Sequence, residues 1–307
     1  MKILVSGSSG LVGSALLPVL RSAGHEVIRL VRRPSAPSGP GDSTVQWNPE
    51  TGELDGSRLE DLDAVVHLAG ENIAARRWTA AQKARIRDSR VQGTALLSDR
   101  LANLAQPPAT LVAASAIGFY GDRGDELLDE DSSSGNDFLS EVCRQWEAAS
   151  LPAEEKGIRV VRLRLGIVLS PRGGALAKML TPFKLGAGGK IGSGQQHLSW
   201  IALDDAVGAI GHALADSSLS GPVNAVAPHP ATNLEFTKTL GRVLSRPTLF
   251  PMPAFAARIA FGEMAEALLL AGARVEPRRL ADSGYSFQYP TLEAALRHLL
   301  DKPARGG

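Results

Sequence analysis

The sequence is short of several things. It has one cysteine, Cys143, in 307 residues, so no internal disulfide can form and the case for a cysteine-rich metal centre is weak. The lone thiol points to a reducing, cytoplasmic setting, and no metal is expected. Neither sign of charge dominates, with 33 Lys and Arg against 32 Asp and Glu. Without a basic excess the chain lacks the face that phosphates would require, so neither nucleic acid nor membrane is expected as a partner. Long unbroken apolar runs are also missing. The opening MKILVSGSSGLVGSALLPVL starts like a secretion signal, but Ser6 to Gly10 interrupts its apolar stretch. Ala254 to Ala273 carries Arg258, Glu263 and Glu266, charges that a lipid-spanning helix of about 20 residues would leave unpaired. A soluble protein is expected.

What is present is a repeating pattern. Short apolar runs rich in β-branched residues occur at Lys2 to Ser6, Val27 to Val31, Ala64 to Leu68, Thr110 to Ala114 and Val160 to Leu165. Runs apolar on both faces are the mark of parallel strands covered by helices on either side. Between them, Val12, Leu16, Val19 and Ala23 follow the helical period, with Pro18 expected to weaken or kink that helix. Thr94, Leu97, Leu101 and Leu104 mark a second helix, closed by Pro107 and Pro108. Strands alternating with helices predict an α/β fold, a Rossmann-type doubly wound parallel sheet. Ser35 to Asp42 and Gly121 to Asp137 read as loops. Gly186 to Gly194 holds five glycines, which suggests a substrate-facing or crossover region. A late strand at Pro222 to Val226 is expected to return to the main sheet. The expected division is a cofactor domain over 1–168, a substrate-binding region over 169–250 and a small, mostly helical C-terminal domain over 251–307.

Gly7, Gly10 and Gly13 follow the first strand and open the first helix. A dinucleotide site needs a tight turn at the first glycine, close backbone approach to a pyrophosphate at the second and close helix packing at the third. The helix start then offers N–H groups to the phosphates. A glycine triplet alone also serves an ordinary turn, but its place between the first strand and the first helix favours a dinucleotide. At the end of the second strand, where an NAD site usually carries an acid for the ribose, the chain reads Val31-Arg32-Arg33-Pro34, and the next acid is Asp42. Two guanidiniums suit a 2′-phosphate, so the expected cofactor is NADP.

The 3+3 glycine spacing, the strand ending His67-Leu68-Ala69-Gly70 and a fourth strand ending at Ser115 resemble an extended short-chain dehydrogenase/reductase. More closely the chain resembles an atypical subfamily, the NAD-dependent epimerase/dehydratase-like "epimerase family" proteins with their own C-terminal domain. The stretches that carry this are Leu68-Ala-Gly-Glu-Asn-Ile73, Arg77-Trp78, Ile86 to Val91, Ser115 to Gly121, Trp146-Glu147, Pro182 to Trp200 and Gly262 to Leu299. The resemblance implies a nucleotide-binding oxidoreductase or epimerase-like protein with NADP over the strand ends. It implies Arg32, His67, Leu68 and Arg90 near phosphates or ribose, and Ile167 near the nicotinamide. With the turn residues Gly7, Ser9, Gly10, Leu11, Val12 and Gly13, and with Arg33, Ala69 and Gly70, these form the expected cofactor set.

One feature of the wider superfamily is absent. Its active members pair a tyrosine with a lysine four residues later, on one helix face, so that the cation stabilises the phenolate. Four residues after Tyr120, Tyr285 and Tyr289 stand Gly124, Tyr289 and Glu293. Aligned on Glu147, Leu139 stands at the tyrosine position and Cys143 at the lysine position. Ser115 and Tyr120 remain as catalytic candidates. Ser115 reads equally as a substrate-facing hydroxyl or as a strand-end serine serving the backbone, and Tyr120 has no cation in the sequence to lower its pKa. Cys143, beside Phe138, Leu139 and Trp146, reads as a small buried hydrophobe. Glu71 and Asn72 fit a substrate-facing loop or ordinary loop polarity. His197 and Trp200 fit either a closing lid or glycine turns around a core tryptophan. In the basic run Arg76, Arg77, Lys83, Arg85, Arg87 and Arg90, most members read as a solvated face.

Two functions stay open. One is an NADP-dependent oxidoreductase or epimerase-like enzyme acting on a small-molecule substrate with an unusual proton donor. The other is a catalytically silent NADP-binding regulatory or scaffold protein of cell-division type, which the missing Tyr/Lys pair motivates. The resemblance also leaves a homodimer open.

Overall fold

The computed structural model describes residues 1–33 and 43–302. The expected loop at Ser35 to Asp42 lies outside the described residues.

The chain begins with strand β1 (Lys2–Ser6), helix α1 (Leu11–Ser22) and strand β2 (Glu26–Val31). Next come β3 (Ser43–Asn48), β4 (Glu53–Leu54), β5 (Ala64–His67), α2 (Ala80–Ala102) and β6 (Thr110–Ala116). After β7 (Leu127–Leu128) follow α3 (Phe138–Ala148), α4 (Leu151–Glu155), β8 (Arg159–Leu165), β9 (Ile167–Leu169) and α5 (Gly174–Lys184). Then run β10 (His197–Leu198), β11 (Trp200–Ala202), α6 (Leu203–Ala215), β12 (Gly221–Ala225), β13 (Ala231–Thr232) and α7 (Asn233–Leu244). The last part holds α8 (Ala254–Phe261), α9 (Glu263–Ala265), β14 (Arg274–Val275), α10 (Arg278–Asp282) and α11 (Leu292–Leu299).

Eight strands form one sheet in the order β12-β8-β6-β5-β1-β2-β3-β4. The pairs β1/β2, β1/β5, β2/β3 and β5/β6 are parallel and β3/β4 is antiparallel. The five apolar runs are β1, β2, β5, β6 and β8, and the late strand joins the sheet as β12. The sheet is mostly parallel and Rossmann-like. It also includes β3, whose Val45 and Trp47 are buried while Gln46 is exposed. That alternation, unlike the doubly buried runs, marks a strand with one solvated face. Helix α1 runs through Pro18, which is exposed. Helix α2 begins at Ala80, well before the apolar stripe that signals it, with Thr79 accepting the Gln82 N–H at 3.2 Å as its cap. The segment Gly121 to Asp137 is not all loop, since Leu127 and Leu128 pair in parallel with Arg274 and Val275.

The chain forms two compact units. One comprises Met1–Ala116, Glu141–Arg164 and Val207–Val223. Its core joins Leu4, Ile28, Val65 and Leu111 of the sheet to Leu97 and Leu101 of α2, each fully buried aliphatic contributing about 1.5–3 kcal/mol. The other comprises Ile117–Ser140, Leu165–Ala206 and Asn224–Gly307. Its core gathers Leu169, Trp200, Leu176, Phe183, Phe236, Leu240 and Leu296. Helix α7 in that unit opens with a reciprocal cap, Thr232 accepting the Glu235 N–H at 3.2 Å and Glu235 accepting the Thr232 N–H at 2.7 Å. No helix among the described residues is long and apolar enough to cross a membrane.

Candidate functional site

The first unit presents a glycine turn where β1 gives way to α1. Gly7 has φ +66°, and a Cβ there would lie 2.6 Å from the Leu68 carbonyl carbon. A Cβ on Gly13 would lie 2.3 Å from the Gly7 oxygen. Both positions therefore demand glycine, one by backbone conformation and both by space. Gly10 N–H donates to the Gly7 carbonyl at 2.9 Å and closes the turn. Helix α1 starts with no side-chain cap and no acid in its first turn, so neither its cap residue nor its first turn supplies a side chain to its N–H groups and positive dipole end. Ser9 and Gly10 are exposed, and Leu11 and Val12 are half-buried. This cradle fits a pyrophosphate.

The neighbouring turn after β5 is fixed by a residue that sequence reading passed over. The Ser6 hydroxyl oxygen accepts the N–H groups of Leu68 at 3.1 Å and Ala69 at 3.3 Å. Its own hydrogen is then directed to His67 Nδ1, 2.7 Å away, leaving the imidazole proton on Nε2. His67 is fully buried, and burial pulls its pKa down to about 4, so the ring is neutral at pH 7. Nε2 is buried with no hydrogen-bond partner among the described residues, and Trp47 packs edge-on to the ring at 5.8 Å. The imidazole thus holds the Ser6 hydroxyl that fixes the turn, and Leu68 and Ala69 are half-buried, Ala69 packed against the core. A polar residue ending an otherwise apolar strand was the available signal for Ser6.

Arg32 and Arg33 are exposed directly after β2. Arg90, on α2, is different. Its guanidinium lies 5.1 Å from the Trp146 ring centroid, donates to the Ile86 carbonyl at 3.0 Å and packs where a Gly70 side chain would begin. Burial lowers its pKa from the ordinary guanidinium value. Glu71 N–H donates to Ser89 Oγ at 3.0 Å, and Asn72 is exposed with its side-chain oxygen accepting Ala74 N–H.

Ser115 ends inside a buried ionic cluster. Its hydroxyl donates to Glu147 Oε1 at 2.7 Å, and Arg164 grips both oxygens of the same carboxylate at 2.8 and 2.9 Å. The brace ties β6, α3 and β8 together. Cys143, one helical turn before Glu147, is buried, its thiol pointing to the Ala116 carbonyl at 3.7 Å and pushed up to about 12 by burial first and then by Glu147. Such a thiol stays protonated and unreactive.

In the second unit Tyr120 is fully buried and donates to Asn224 Oδ1 at 2.7 Å. Asn224 is held in turn by Glu130, which accepts its backbone N–H, and by the Glu276 carbonyl. Burial raises the Glu130 pKa. Ile167 is half-buried at the start of β9, paired with Trp200 of β11. Trp200 is a core residue donating to the His229 carbonyl, and His197 Nε2 lies 3.1 Å from Asp125. Gly188 packs on the Phe183 ring and Gly189 on the Phe250 carbonyl, so these two glycines serve close approach. Among the described residues no group of His, Cys, Asp or Glu could hold a metal.

The chain matches the family described as "NAD dependent epimerase/dehydratase family" over residues 3–225 and a domain of unknown function, DUF1731, over 252–299. It is 47% identical over 301 residues to an epimerase family protein of Mycobacterium tuberculosis, spanning 98% of both chains. A crystal structure of human epimerase family protein SDR39U1 with NADPH superposes with a TM-score of 0.88 at 37% identity, over 98% of this chain and 99% of that one. The nucleoside-diphosphate sugar epimerase of Corynebacterium glutamicum gives a TM-score of 0.80 at 41% identity, over 98% of this chain and 58% of the longer one. This chain belongs to the NAD-dependent epimerase/dehydratase family.

Proposed function

We propose that the protein binds NADPH at the β1–α1 turn and acts on a small molecule by oxidoreductase or epimerase-like chemistry without a Tyr-x-x-x-Lys pair. The observation that carries this is the cradle itself, where Gly7 and Gly13 leave no room for a Cβ and α1 starts uncapped. Gly7, Ser9, Gly10, Leu11, Val12 and Gly13 would hold the pyrophosphate. Arg32 and Arg33 would take the 2′-phosphate, and Leu68 to Gly70, with Arg90, would face the remaining phosphate or ribose groups, while His67, expected there from the sequence, is fully buried and supports the turn through Ser6. The presence of NADPH in the human relative supports this choice. NADPH, when bound, supplies a hydride donor at its nicotinamide. The substrate class is a small molecule, with nucleotide sugars the first to test because a 41% identical relative is described as acting on them.

The chain's own groups narrow how a proton could move. Ser115 commits its hydrogen to Glu147, Cys143 holds its proton, and Tyr120 gives its hydrogen to Asn224. Ser115 and Tyr120 therefore serve first to position the strand end and the loop after it. The same three commitments favour a second reading, an NADPH-binding protein that reports cofactor state without turnover. Fluorescence titration with NADPH and NADH tests the common part, and failure to bind either overturns both readings. Oxidation of bound NADPH by aldehydes, quinones or nucleotide sugars then selects the enzyme, and persistent silence selects the sensor.

A further inference from the structure

At the amino ends of β1, β2 and β3, away from the glycine turn, the first unit holds a cavity of about 280 Å³. Ile28 and Val45, both buried, supply its apolar wall, while Lys2, Glu26, Arg58 and Asp61 line it with charge of both signs. These charges do not neutralise one another. Lys2 and Glu26 are register partners on adjacent parallel strands, yet the Lys2 ammonium turns to the Glu60 carbonyl at 3.4 Å. Among the described residues, the side chains of Glu26, Arg58 and Asp61 make no hydrogen bond or ion pair. The segment that carries two of them is fixed. Glu60 accepts the N–H groups of Ala105 at 3.2 Å and Gln106 at 3.3 Å, and Leu59 and Leu62 are buried on either side. Between those two leucines Asp61 stands at φ +60°, a left-handed conformation that a residue other than glycine keeps only when its surroundings hold it there.

We propose that this cavity binds a small aliphatic α-amino acid as its zwitterion. The ammonium group is taken by the carboxylates of Glu26 and Asp61, the carboxylate by Arg58 with Lys2 beside it, and the aliphatic side chain by Ile28 and Val45. A ligand of one charge sign would be attracted by half of this lining and repelled by the other half, whereas a zwitterion answers both. Size points the same way. Small-molecule pockets usually run from about 300 to 1,000 Å³, so this cavity sits at the small end and suits an amino acid rather than a nucleotide. The glycine turn lies at the other end of β1, five residues along, a distance of about 13 Å at roughly 3.3 Å per residue. The proposal therefore does not depend on cofactor binding or turnover.

Amide NMR titration of the full chain with L-leucine tests it. The amides of Lys2, Glu26, Arg58 and Asp61 are expected to shift and to saturate at about millimolar ligand. Two analogues separate the charges: 4-methylpentanoate, which lacks the ammonium group, and 3-methylbutylamine, which lacks the carboxylate. Each should bind at least about tenfold more weakly than L-leucine, the loss of a charge-assisted hydrogen bond. Arg58→Ala should weaken L-leucine by a similar factor and leave 3-methylbutylamine unchanged. Glu26→Gln/Asp61→Asn should weaken L-leucine and leave 4-methylpentanoate unchanged. All three positions are exposed, so the remaining amide spectrum should stay in place and report an intact fold. No saturable shift at these amides up to about 20 mM L-leucine overturns the proposal. So does either analogue binding as tightly as L-leucine, which would make this a site for a single charge, and so do shifts confined to other amides or an L-leucine affinity that survives both variants.

Discussion

The Ser115 hydroxyl lies 2.7 Å from Glu147 Oε1, and that carboxylate is simultaneously the two-pronged partner of Arg164. Glu147 is 12% and Arg164 4% exposed at the side chain. Removing one member of such a buried pair strands the other, at a cost of about 3–5 kcal/mol, far more than the pair's net contribution. Glu147→Ala should therefore lower unfolding free energy by that amount in urea, while Ser115→Ala, which removes one hydrogen bond to a charged group, should cost about 1.5–3 kcal/mol. Equal effects of the two substitutions would contradict the brace.

His67 makes stability depend on pH. Its folded pKa, about 4, lies below the ordinary 6.5 because the ring is buried. The unfolded chain therefore takes up a proton first as pH falls, and stability present above pH 6.5 is lost between 6.5 and 4. A depression of this size corresponds to roughly 3 kcal/mol. Urea unfolding at pH 7, 5.5 and 4.5 should show this component in the wild type and not in His67→Gln. Parallel pH profiles for the two proteins would rule the mechanism out.

Strands β1, β2, β5, β6 and β8 were legible because both their faces are buried, so apolar residues run without a break. Strand β3 was not, since Thr44, Gln46 and Asn48 alternate with Val45 and Trp47 in a segment too polar to resemble its neighbours. The first half of α2 was hidden for a related reason. Among its residues Ala80 to Arg90, only Gln82 and Ile86 are buried, so no apolar stripe announces it. The glycine turn could be read because its demands are local. The Ser115 brace could not, because its partners stand 32 and 49 positions along the chain, and nothing in a serine, a glutamate and an arginine taken singly says that they meet. The pairing of Leu127 with Arg274 is equally silent, being a two-residue ladder closed across most of the second unit.

Cofactor choice should follow Arg32 and Arg33. Both are exposed at the end of β2 and available to a 2′-phosphate. Charge-assisted hydrogen bonds of this kind contribute about 1.5–3 kcal/mol. Arg32→Ser/Arg33→Ser should weaken NADPH binding at least tenfold while leaving NADH nearly unchanged, by fluorescence titration. Gly10→Asp should abolish binding of both, by crowding and by charge repulsion at the pyrophosphate. Unchanged NADPH affinity in either variant would remove the cofactor from this turn.

The carboxylate of Asp205 is fully buried and acts as an anchor for the chain between α10 and α11. It accepts the backbone N–H of Gln288 at 2.7 Å and of Tyr289 at 3.0 Å, while the Tyr285 hydroxyl donates to the Asp205 carbonyl at 2.9 Å. Burial and the nearby charge raise the Tyr285 pKa, so its phenol stays protonated and able to donate. Asp205→Ala would leave two N–H groups without their acceptor, each costing about 1–3 kcal/mol. Asp205→Asn keeps one carbonyl oxygen and should cost less. Hydrogen exchange at the Gln288 and Tyr289 amides should accelerate in Asp205→Ala before the first unit's amides change, since the loss is local to this anchor. If those amides stay protected and the melting temperature holds, Asp205 does not fasten this segment.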